Sequence, residues 1–140
     1  MSENCPFCAI ETQAERILWS DELTVTFLSN PRLIEGHTLV VPRRHVEKPW
    51  DLTSPELQSI FTNLWKVEQK LITGGVGAGC DIRQNYRPFM PQGRVKVDHV
   101  HFHALPRKLN DTLYETSMRF EVFEDMSPAE REWMEKLLAL

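Results

Sequence analysis

Apolar residues recur at spacings of three and four between residues 57 and 72, which is the pattern of a helix with one buried face. They are Leu57, Ile60, Phe61, Leu64, Val67, Leu71 and Ile72. Thr53 precedes them as a helix N-cap, with Glu56 three residues on to complete a capping box. The sequence therefore predicts a long helix from about Thr53 to Ile72, ended by the glycine-rich run 74–79.

β-Branched and apolar stretches on both sides of this helix predict the strands of a sheet. They lie at residues 24–28, 37–42 and 80–85. A further strand is predicted at about residues 94–105, after a loop at 87–93 that two prolines interrupt. The glycine-rich run lacks the Gly-Lys-Ser/Thr ending of a phosphate-binding loop, so it is interpreted as a turn.

The two ends of the chain have weaker patterns. Residues 9–19 predict a short helix, and residues 118–123 alternate as an extended segment would. Ser127 with Glu130 repeats the capping pattern and predicts a C-terminal helix. The residues expected on its inward face are Trp133, Met134, Leu137 and Leu138. Together the elements predict an α+β fold, a mainly antiparallel sheet of about five strands with one long central helix and a C-terminal helix.

Composition limits the classes of function. No linker or repeat interrupts the 140 residues, so we expect one domain over residues 1–140. The net charge of -4 gives no general attraction to nucleic acid or to an anionic membrane. No apolar run is long enough to span a membrane, and residues 1–5 lack the basic and apolar regions of a signal peptide. We therefore expect a cytoplasmic protein without nucleic-acid or membrane partners.

Three of the five histidines fall at alternate positions, namely His99, His101 and His103. In a strand they would share one face, and the apolar residues between and after them would share the other. The apolar face is explained as core, whereas three neighbouring imidazoles have no packing reason and indicate a functional site. Two uses of these histidines remain open: a metal site, or phosphate chemistry with imidazole as the nucleophile.

Cysteine use favours a metal or redox site over disulfides. Cys5 and Cys8 form a Cys-x-x-Cys pair, whereas Cys80 stands alone after the glycine-rich run and is expected in the core. With His45 and the three alternating histidines, the chain offers six possible ligands, more than one four-coordinate zinc can use. Two thiolates plus two imidazoles would make a closed structural site and leave the other histidines for reaction.

The run His99-Val-His101-Phe-His103-Ala-Leu resembles the His-φ-His-φ-His-φ-φ signature of the histidine triad (HIT) superfamily of nucleotide hydrolases and transferases. Residues 36–45 resemble the family's Gly-His-x-Leu-Val-φ-Pro-Lys/Arg-x-His segment. Residues 5–8 resemble the zinc knuckle of its microbial members. The resemblance covers residues 5–107 and implies a HIT-like fold, a small-molecule nucleotide substrate and a homodimer.

The resemblance also implies a role for each site residue. His101 would attack the α-phosphorus of a nucleotide and form a nucleotidyl-histidine that water then hydrolyses. His103 would contact phosphate oxygens, and His37 resembles the family's fourth active-site histidine. The first triad histidine is a ligand in zinc-containing relatives. The implied ligands of a structural zinc are therefore Cys5, Cys8, His45 and His99, and no organic cofactor is expected.

Residues expected to bind the nucleotide and its phosphates are also implied by position. Ser29 stands where relatives place Asp or Asn for the ribose, with Asn30 beside it, and Asn85 is aligned with an asparagine near the phosphates. Five basic residues against one acid in residues 82–107 would suit a polyphosphate leaving group. They are Arg83, Arg87, Arg94, Lys96 and Arg107. Hint-like members have glutamine and serine or threonine where this chain has Val95 and Lys96, so contacts with the leaving group are expected to differ.

The sequence thus predicts a nucleotide hydrolase that releases a nucleoside monophosphate. Dinucleoside polyphosphates and nucleoside phosphoramidates are the candidate substrates, with the basic residues favouring the former. A phosphorylase or nucleotidyltransferase is the alternative within the enzyme class, because another acceptor could replace water at the nucleotidyl-histidine. A zinc-stabilised nucleotide-binding protein with little turnover is the alternative outside it.

Overall fold

The computed structural model of the protein describes residues 4–140. Residues 1–3 lie outside the described residues, and they belong to the segment 1–5 that is expected to lack signal-peptide features. Its centre is a five-stranded sheet in the order β1-β2-β3-β5-β4, with every neighbouring pair antiparallel. The strands are β1 Ile17–Ser20, β2 Thr24–Leu28, β3 Thr38–Pro42, β4 Gly79–Arg83 and β5 Phe102–Arg107. The helices are α1 Ser54–Thr73, α2 Tyr114–Ser117 and α3 Pro128–Leu138. The predicted α+β class is confirmed; one domain over the whole chain stays a prediction.

The long helix α1 forms as predicted because both of its ends match the sequence signals. Thr53 accepts a hydrogen bond from the backbone N–H of Glu56, whose carboxylate accepts one from the backbone N–H of Thr53. The buried face of α1 packs on one side of the sheet. Its core contains Ile60, Leu64 and Val67 from α1, with Val40, Val100, Phe102 and Ala104 beneath them. This packing fixes the apolar side of the segment that carries the three alternating histidines.

The strand predicted at residues 94–105 is shorter than expected, since β5 begins only at Phe102. A bridge between Gly93 and Lys96 closes a turn before it. The backbone N–H of Val100 donates to the carbonyl of Val46, at 2.6 Å, instead of to a neighbouring strand. The backbone of residues 94–101 is therefore held by local turns and one loop contact. The alternation survives nevertheless, because Val100, Phe102 and Ala104 are all buried.

The N-terminal prediction was partly wrong. Residues Ile10–Arg16 form a 3₁₀ helix, but the chain then enters strand β1, which pairs with β2 along the edge of the sheet. Pairing with an exposed sheet edge satisfies the backbone, and the indole N–H of Trp19 donates to the side-chain oxygen of Asn63 in α1 at 2.9 Å. These tertiary contacts outweigh the helical periodicity of residues 9–19.

Two predictions at the C-terminal end are corrected. Residues 118–123 form no strand, because after α2 the backbone N–H groups of Met118 and Arg119 both donate to the carbonyl of Tyr114 and turn the chain. Ser127 caps α3 as expected. The predicted inward residues Trp133, Leu137 and Leu138 are exposed on this chain, because α3 does not cover the sheet with that face. No helix within residues 4–140 is both long and apolar enough to cross a membrane.

Candidate active site and metal centre

Four side chains from three separate parts of the chain meet at the end of β3. The Sγ atoms of Cys5 and Cys8 and the Nδ1 atoms of His45 and His99 all lie within 4.8 Å of one another. Cys5 Sγ lies 3.4 Å and Cys8 Sγ 3.6 Å from His99 Nδ1, and Cys8 Sγ lies 3.3 Å from His45 Nδ1. The structure therefore brings together the four residues predicted as zinc ligands.

The arrangement fits a tetrahedral zinc ion. Bonds of about 2.3 Å to sulfur and about 2.0–2.1 Å to nitrogen place those two ligand atoms about 3.6 Å apart in a tetrahedron, close to the observed spacings. The Nε2–H of His99 donates to the carbonyl of Pro42 at 2.8 Å, which leaves Nδ1 unprotonated and free to bind. Burial lowers the pKa of His99 to about 4, so its imidazole is neutral near pH 7. Two cysteines and two histidines are a closed structural ligand set for zinc.

Phe7, in the middle of the zinc knuckle (residues 5–8), connects this group to the next histidine. Its ring meets the His99 ring edge to face at 5.9 Å and the His101 ring at 5.1 Å, and it packs on Phe27 of β2 at 5.4 Å. Binding of a metal by Cys5 and Cys8 would thus also fix a ring that packs against His101.

A cavity of about 1060 Å³ opens beside the sheet on the side of His101. The residues predicted to act on or bind a nucleotide all line it. They are His37, His101, His103, Ser29, Asn30, Asn85, Arg94 and Lys96. The structure also places Pro6, Phe7, Arg16 and Tyr86 on its wall, and no sequence motif marked these residues as binding residues.

The proton position on His101 is fixed by the backbone. Its Nδ1 lies 2.7 Å from the carbonyl oxygen of His99, and a carbonyl can only accept, so Nδ1 carries the hydrogen. In the neutral ring the other nitrogen, Nε2, then has a free lone pair. Burial lowers the pKa of His101, which keeps the ring in this neutral, nucleophilic form.

His37 and His103 form a hydrogen-bonded pair whose direction is also fixed. The backbone N–H of Leu33 donates to His37 Nδ1 at 3.1 Å, so the proton of His37 lies on Nε2. That nitrogen donates to His103 Nδ1 at 2.8 Å, which places the proton of His103 on its own Nε2. Within residues 4–140 this buried Nε2–H has no hydrogen-bond partner. It is a donor available to a ligand.

The surroundings keep this pair neutral. Burial, with the charge of Arg83 and then His101, lowers the pKa of His37 to about 4. Burial is also the largest cause that lowers the pKa of His103, to about 3. The charges of His101 and His37 contribute next, and those of Arg83 and Arg87 contribute least. Both rings are therefore uncharged at pH 7, and cationic charge on the cavity wall comes from arginine and lysine side chains.

The five basic residues separate into different environments. Arg83 and Arg87 lie near enough to His103 to act on it electrostatically, and Arg83 Nη2 also lies 3.6 Å from Asp81 Oδ2. Lys96 pairs with Asp98, so its charge is balanced, and Arg94 lies on the exposed turn. Arg107, at the end of β5, is buried instead between two carboxylates, with Nη1 2.6 Å from Asp81 of β4 and Nε 2.7 Å from Asp111. Its charge is therefore balanced by two carboxylates, and Arg107 is not among the residues that line the cavity.

The polar residues predicted around the nucleotide already make internal contacts. The hydroxyl of Ser29 donates to the carbonyl of Pro31 at 2.8 Å, which leaves the lone pairs of its oxygen for a ribose donor. The Asn85 side-chain oxygen accepts from Arg87 Nη2 at 3.4 Å. The half-buried Cys80 packs against the core as predicted, and burial raises the pKa of its thiol to about 11.

Three histidines in one segment, a fourth hydrogen-bonded to the third, and a Cys₂His₂ group beside them define a site of the histidine triad class with a zinc knuckle. The HIT domain matches residues 11–110 of the sequence. The chain belongs to the HIT domain family.

Known proteins similar to the chain agree with this assignment. An uncharacterised HIT-like protein of Methanocaldococcus jannaschii is 37% identical over 114 residues, 76% of this chain and 81% of that protein. The bis(5'-nucleosyl)-tetraphosphatase (asymmetrical) of Schizosaccharomyces pombe is 32% identical over 104 residues, 69% of this chain but 51% of that protein, so the chain spans about half of this relative. The crystal structure of SMU.412c from Streptococcus mutans matches with a TM-score of 0.77 and 26% identity, covering 98% of this chain and 85% of that one.

Proposed function

We propose that the protein hydrolyses a nucleotide at its α-phosphorus and releases a nucleoside monophosphate. The observation that carries the proposal is the fixed proton arrangement of two neighbouring rings on one cavity wall. His101 presents an unprotonated Nε2, and His103 presents a buried Nε2–H with no partner among the described residues. A nucleophile and a phosphate-oxygen donor side by side are what nucleotidyl transfer needs.

The reaction would proceed in two displacements. Nε2 of His101 attacks the α-phosphorus, a P–N bond forms, and the bond from phosphorus to the leaving group breaks with its electron pair. Water then attacks the same phosphorus, the P–N bond breaks with its electron pair returning to His101 Nε2, and the proton of the attacking water passes to bulk solvent as the monophosphate leaves. The His103 Nε2–H donates to a phosphate oxygen in both steps, with Arg83 and Arg87 adding positive charge nearby.

Dinucleoside polyphosphates are the substrate class that the site favours. Their leaving group carries several negative charges, which Arg83, Arg87 and Arg94 could neutralise near or within the cavity. The name of the S. pombe relative, a tetraphosphatase acting on bis-nucleosyl substrates, supports this choice. Nucleoside phosphoramidates are the second class to test, because the same nucleophile would cleave their P–N bond.

Zinc bound by Cys5, Cys8, His45 and His99 would be structural, and its chemistry would be to hold four side chains together. A homodimer is proposed as well, and the exposed apolar face of α3 supports it. A cytoplasmic location stays a prediction from the sequence.

A substrate panel tests the activity. Diadenosine tetraphosphate, diadenosine triphosphate and adenosine 5'-phosphoramidate are incubated with the protein, and products are separated with and without inorganic phosphate. Release of AMP without phosphate supports hydrolysis. ADP formed only when phosphate is present would identify a phosphorylase instead. Binding of the nucleotides without turnover would identify the binding-protein alternative.

A further inference from the structure

Two exposed aromatic rings lie together near the cavity and have no role in the core. Trp50, in the 3₁₀ helix Pro49–Asp51, meets Tyr86, in the segment that follows β4. Their ring centroids are 5.0 Å apart with an angle of 79° between the planes. Trp50 is 67% exposed and Tyr86 39% exposed. An edge-to-face pair leaves flat ring surfaces uncovered, and a large exposed indole is a common feature of binding surfaces.

The pair is continuous with the nucleotide cavity. Tyr86 is part of the cavity wall, as are its neighbour Arg87 and, two residues before Trp50, Lys48. Arg83 and Arg87 act electrostatically on His103, so positive charge lies both near the reacting phosphorus and next to Tyr86 in the chain. A ligand that leads from His101 towards Trp50 would thus meet imidazole, then cations, then aromatic rings.

The size of the cavity leaves room for such a ligand. Its volume, about 1060 Å³, is at the upper end of the range of about 300–1,000 Å³ typical of small-molecule sites. A single nucleoside monophosphate at Ser29, Asn30 and His101 would leave the part near Tyr86 unfilled. A dinucleoside polyphosphate has the matching order of groups: a phosphate at the nucleophile, further phosphates, and a second base.

We propose that Trp50 and Tyr86 bind the base of the leaving nucleotide of a dinucleoside polyphosphate by stacking, and that they are specificity-determining residues for this substrate class. The proposal rests on the proposed function, because it assigns the leaving group of that reaction. Stacking on aromatic rings tolerates any base, so the pair selects for the presence of a second nucleoside and against substrates with a small leaving group.

Binding rather than turnover tests the proposal, which separates it from the hydrolase proposal. Isothermal titration calorimetry on protein carrying His101→Ala measures Kd for diadenosine tetraphosphate and for AMP, with and without Trp50→Ala. We expect Trp50→Ala to raise the Kd for diadenosine tetraphosphate roughly tenfold relative to that for AMP, the loss of one stacked base. Tyr86→Ala should act in the same direction, and Tyr86→Phe should restore most of the affinity.

Trp65→Ala is the matched control, since Trp65 is also a half-exposed tryptophan but lies on α1 against Phe61. The ratio of the Kd for diadenosine tetraphosphate to the Kd for AMP should be the same as in the parent, which is the protein that carries His101→Ala alone. An equal ratio in the parent and in Trp50→Ala would overturn the subsite, as would equal affinity of the parent for diadenosine tetraphosphate and AMP. If Trp50→Ala weakens binding of diadenosine tetraphosphate but the wild-type protein does not hydrolyse it, the hydrolase proposal is overturned and the subsite is retained.

Discussion

At the scale of single residues, backbone groups decide which nitrogen of each histidine can act. The carbonyl of His99 fixes the proton of His101 on Nδ1, and the amide of Leu33 fixes that of His37 on Nε2. His37 Nε2–H donates to His103 Nδ1, which fixes the proton of His103 on its own Nε2. The sequence predicted the histidines that line the cavity, but not the proton positions of His37 and His103, because these depend on the backbone N–H of Leu33 in an irregular segment.

Variants of His103 test its role as a donor. His103→Ala removes the N–H expected to stabilise charge on the phosphate, so kcat should fall by about 10² to 10³ with a much smaller change in KM. His103→Gln retains an N–H donor of similar reach, and it should lose clearly less activity. Steady-state kinetics on the best substrate of the panel provides the comparison. Equal losses in the two variants would contradict the donor role.

The neutral pair also predicts how stability depends on pH. Burial, chiefly, lowers the pKa of His37 to about 4 and of His103 to about 3, against about 6.5 in an unfolded chain. Protons therefore bind the unfolded chain more readily, so stability present above about pH 6.5 is lost as pH falls towards 4. The melting temperature should be lower at about pH 5 than at pH 7.

His103→Gln is the control for this pH effect, because glutamine does not titrate. The drop in melting temperature between the two pH values should be smaller in this variant than in the parent. Equal drops would show that other groups cause the loss.

At the scale of elements, the sequence signals worked where local and tertiary preferences agree. The capped, amphipathic α1 and the β-branched β2 and β3 were predictable for that reason. Strand β1 was not, since Ile17–Ser20 pairs with a sheet edge that periodicity cannot reveal. The start of β5 was misplaced because the contact of Val100 with Val46 replaces strand pairing, and nothing near Val100 in the sequence signals it.

The zinc knuckle gives a prediction at this scale. Cys8→Ser removes one of four ligands, so zinc per chain should fall well below one and the melting temperature should drop. Cys80→Ser is the matched control, because Cys80 is a half-buried cysteine outside the ligand group. Elemental analysis and thermal unfolding of both variants provide the measurement. Equal zinc content in the two variants would remove Cys8 from the ligand set.

At the scale of the whole molecule, one side of the sheet carries the Cys₂His₂ group and the cavity histidines His37, His101 and His103, and the other side packs on α1. Helix α3 remains outside this arrangement, with Trp133 60% and Leu137 59% exposed. An amphipathic helix whose apolar face is uncovered on its own chain needs another surface. The sequence predicted the helix and its apolar face, but periodicity alone could not show that the rest of residues 4–140 leaves Trp133, Leu137 and Leu138 exposed.

A homodimer through α3 is therefore expected, and light scattering coupled to size-exclusion chromatography measures it. Trp133→Glu places a charge on the apolar face and should shift the protein to monomer with unchanged helix content by circular dichroism. Glu135→Gln alters the same helix outside the group Trp133, Met134, Leu137 and Leu138 and should remain dimeric. A monomeric parent protein at micromolar concentration would contradict the proposal.

The most direct test of the whole account is detection of the covalent intermediate on His101. The protein is mixed with excess diadenosine tetraphosphate, denatured within milliseconds at neutral pH, and analysed by intact mass and peptide mapping. We predict a mass increase of one adenylyl group, located on His101 and absent from His101→Ala. AMP release by the wild-type protein with no adenylylated His101, or unchanged AMP release by His101→Ala, would contradict it.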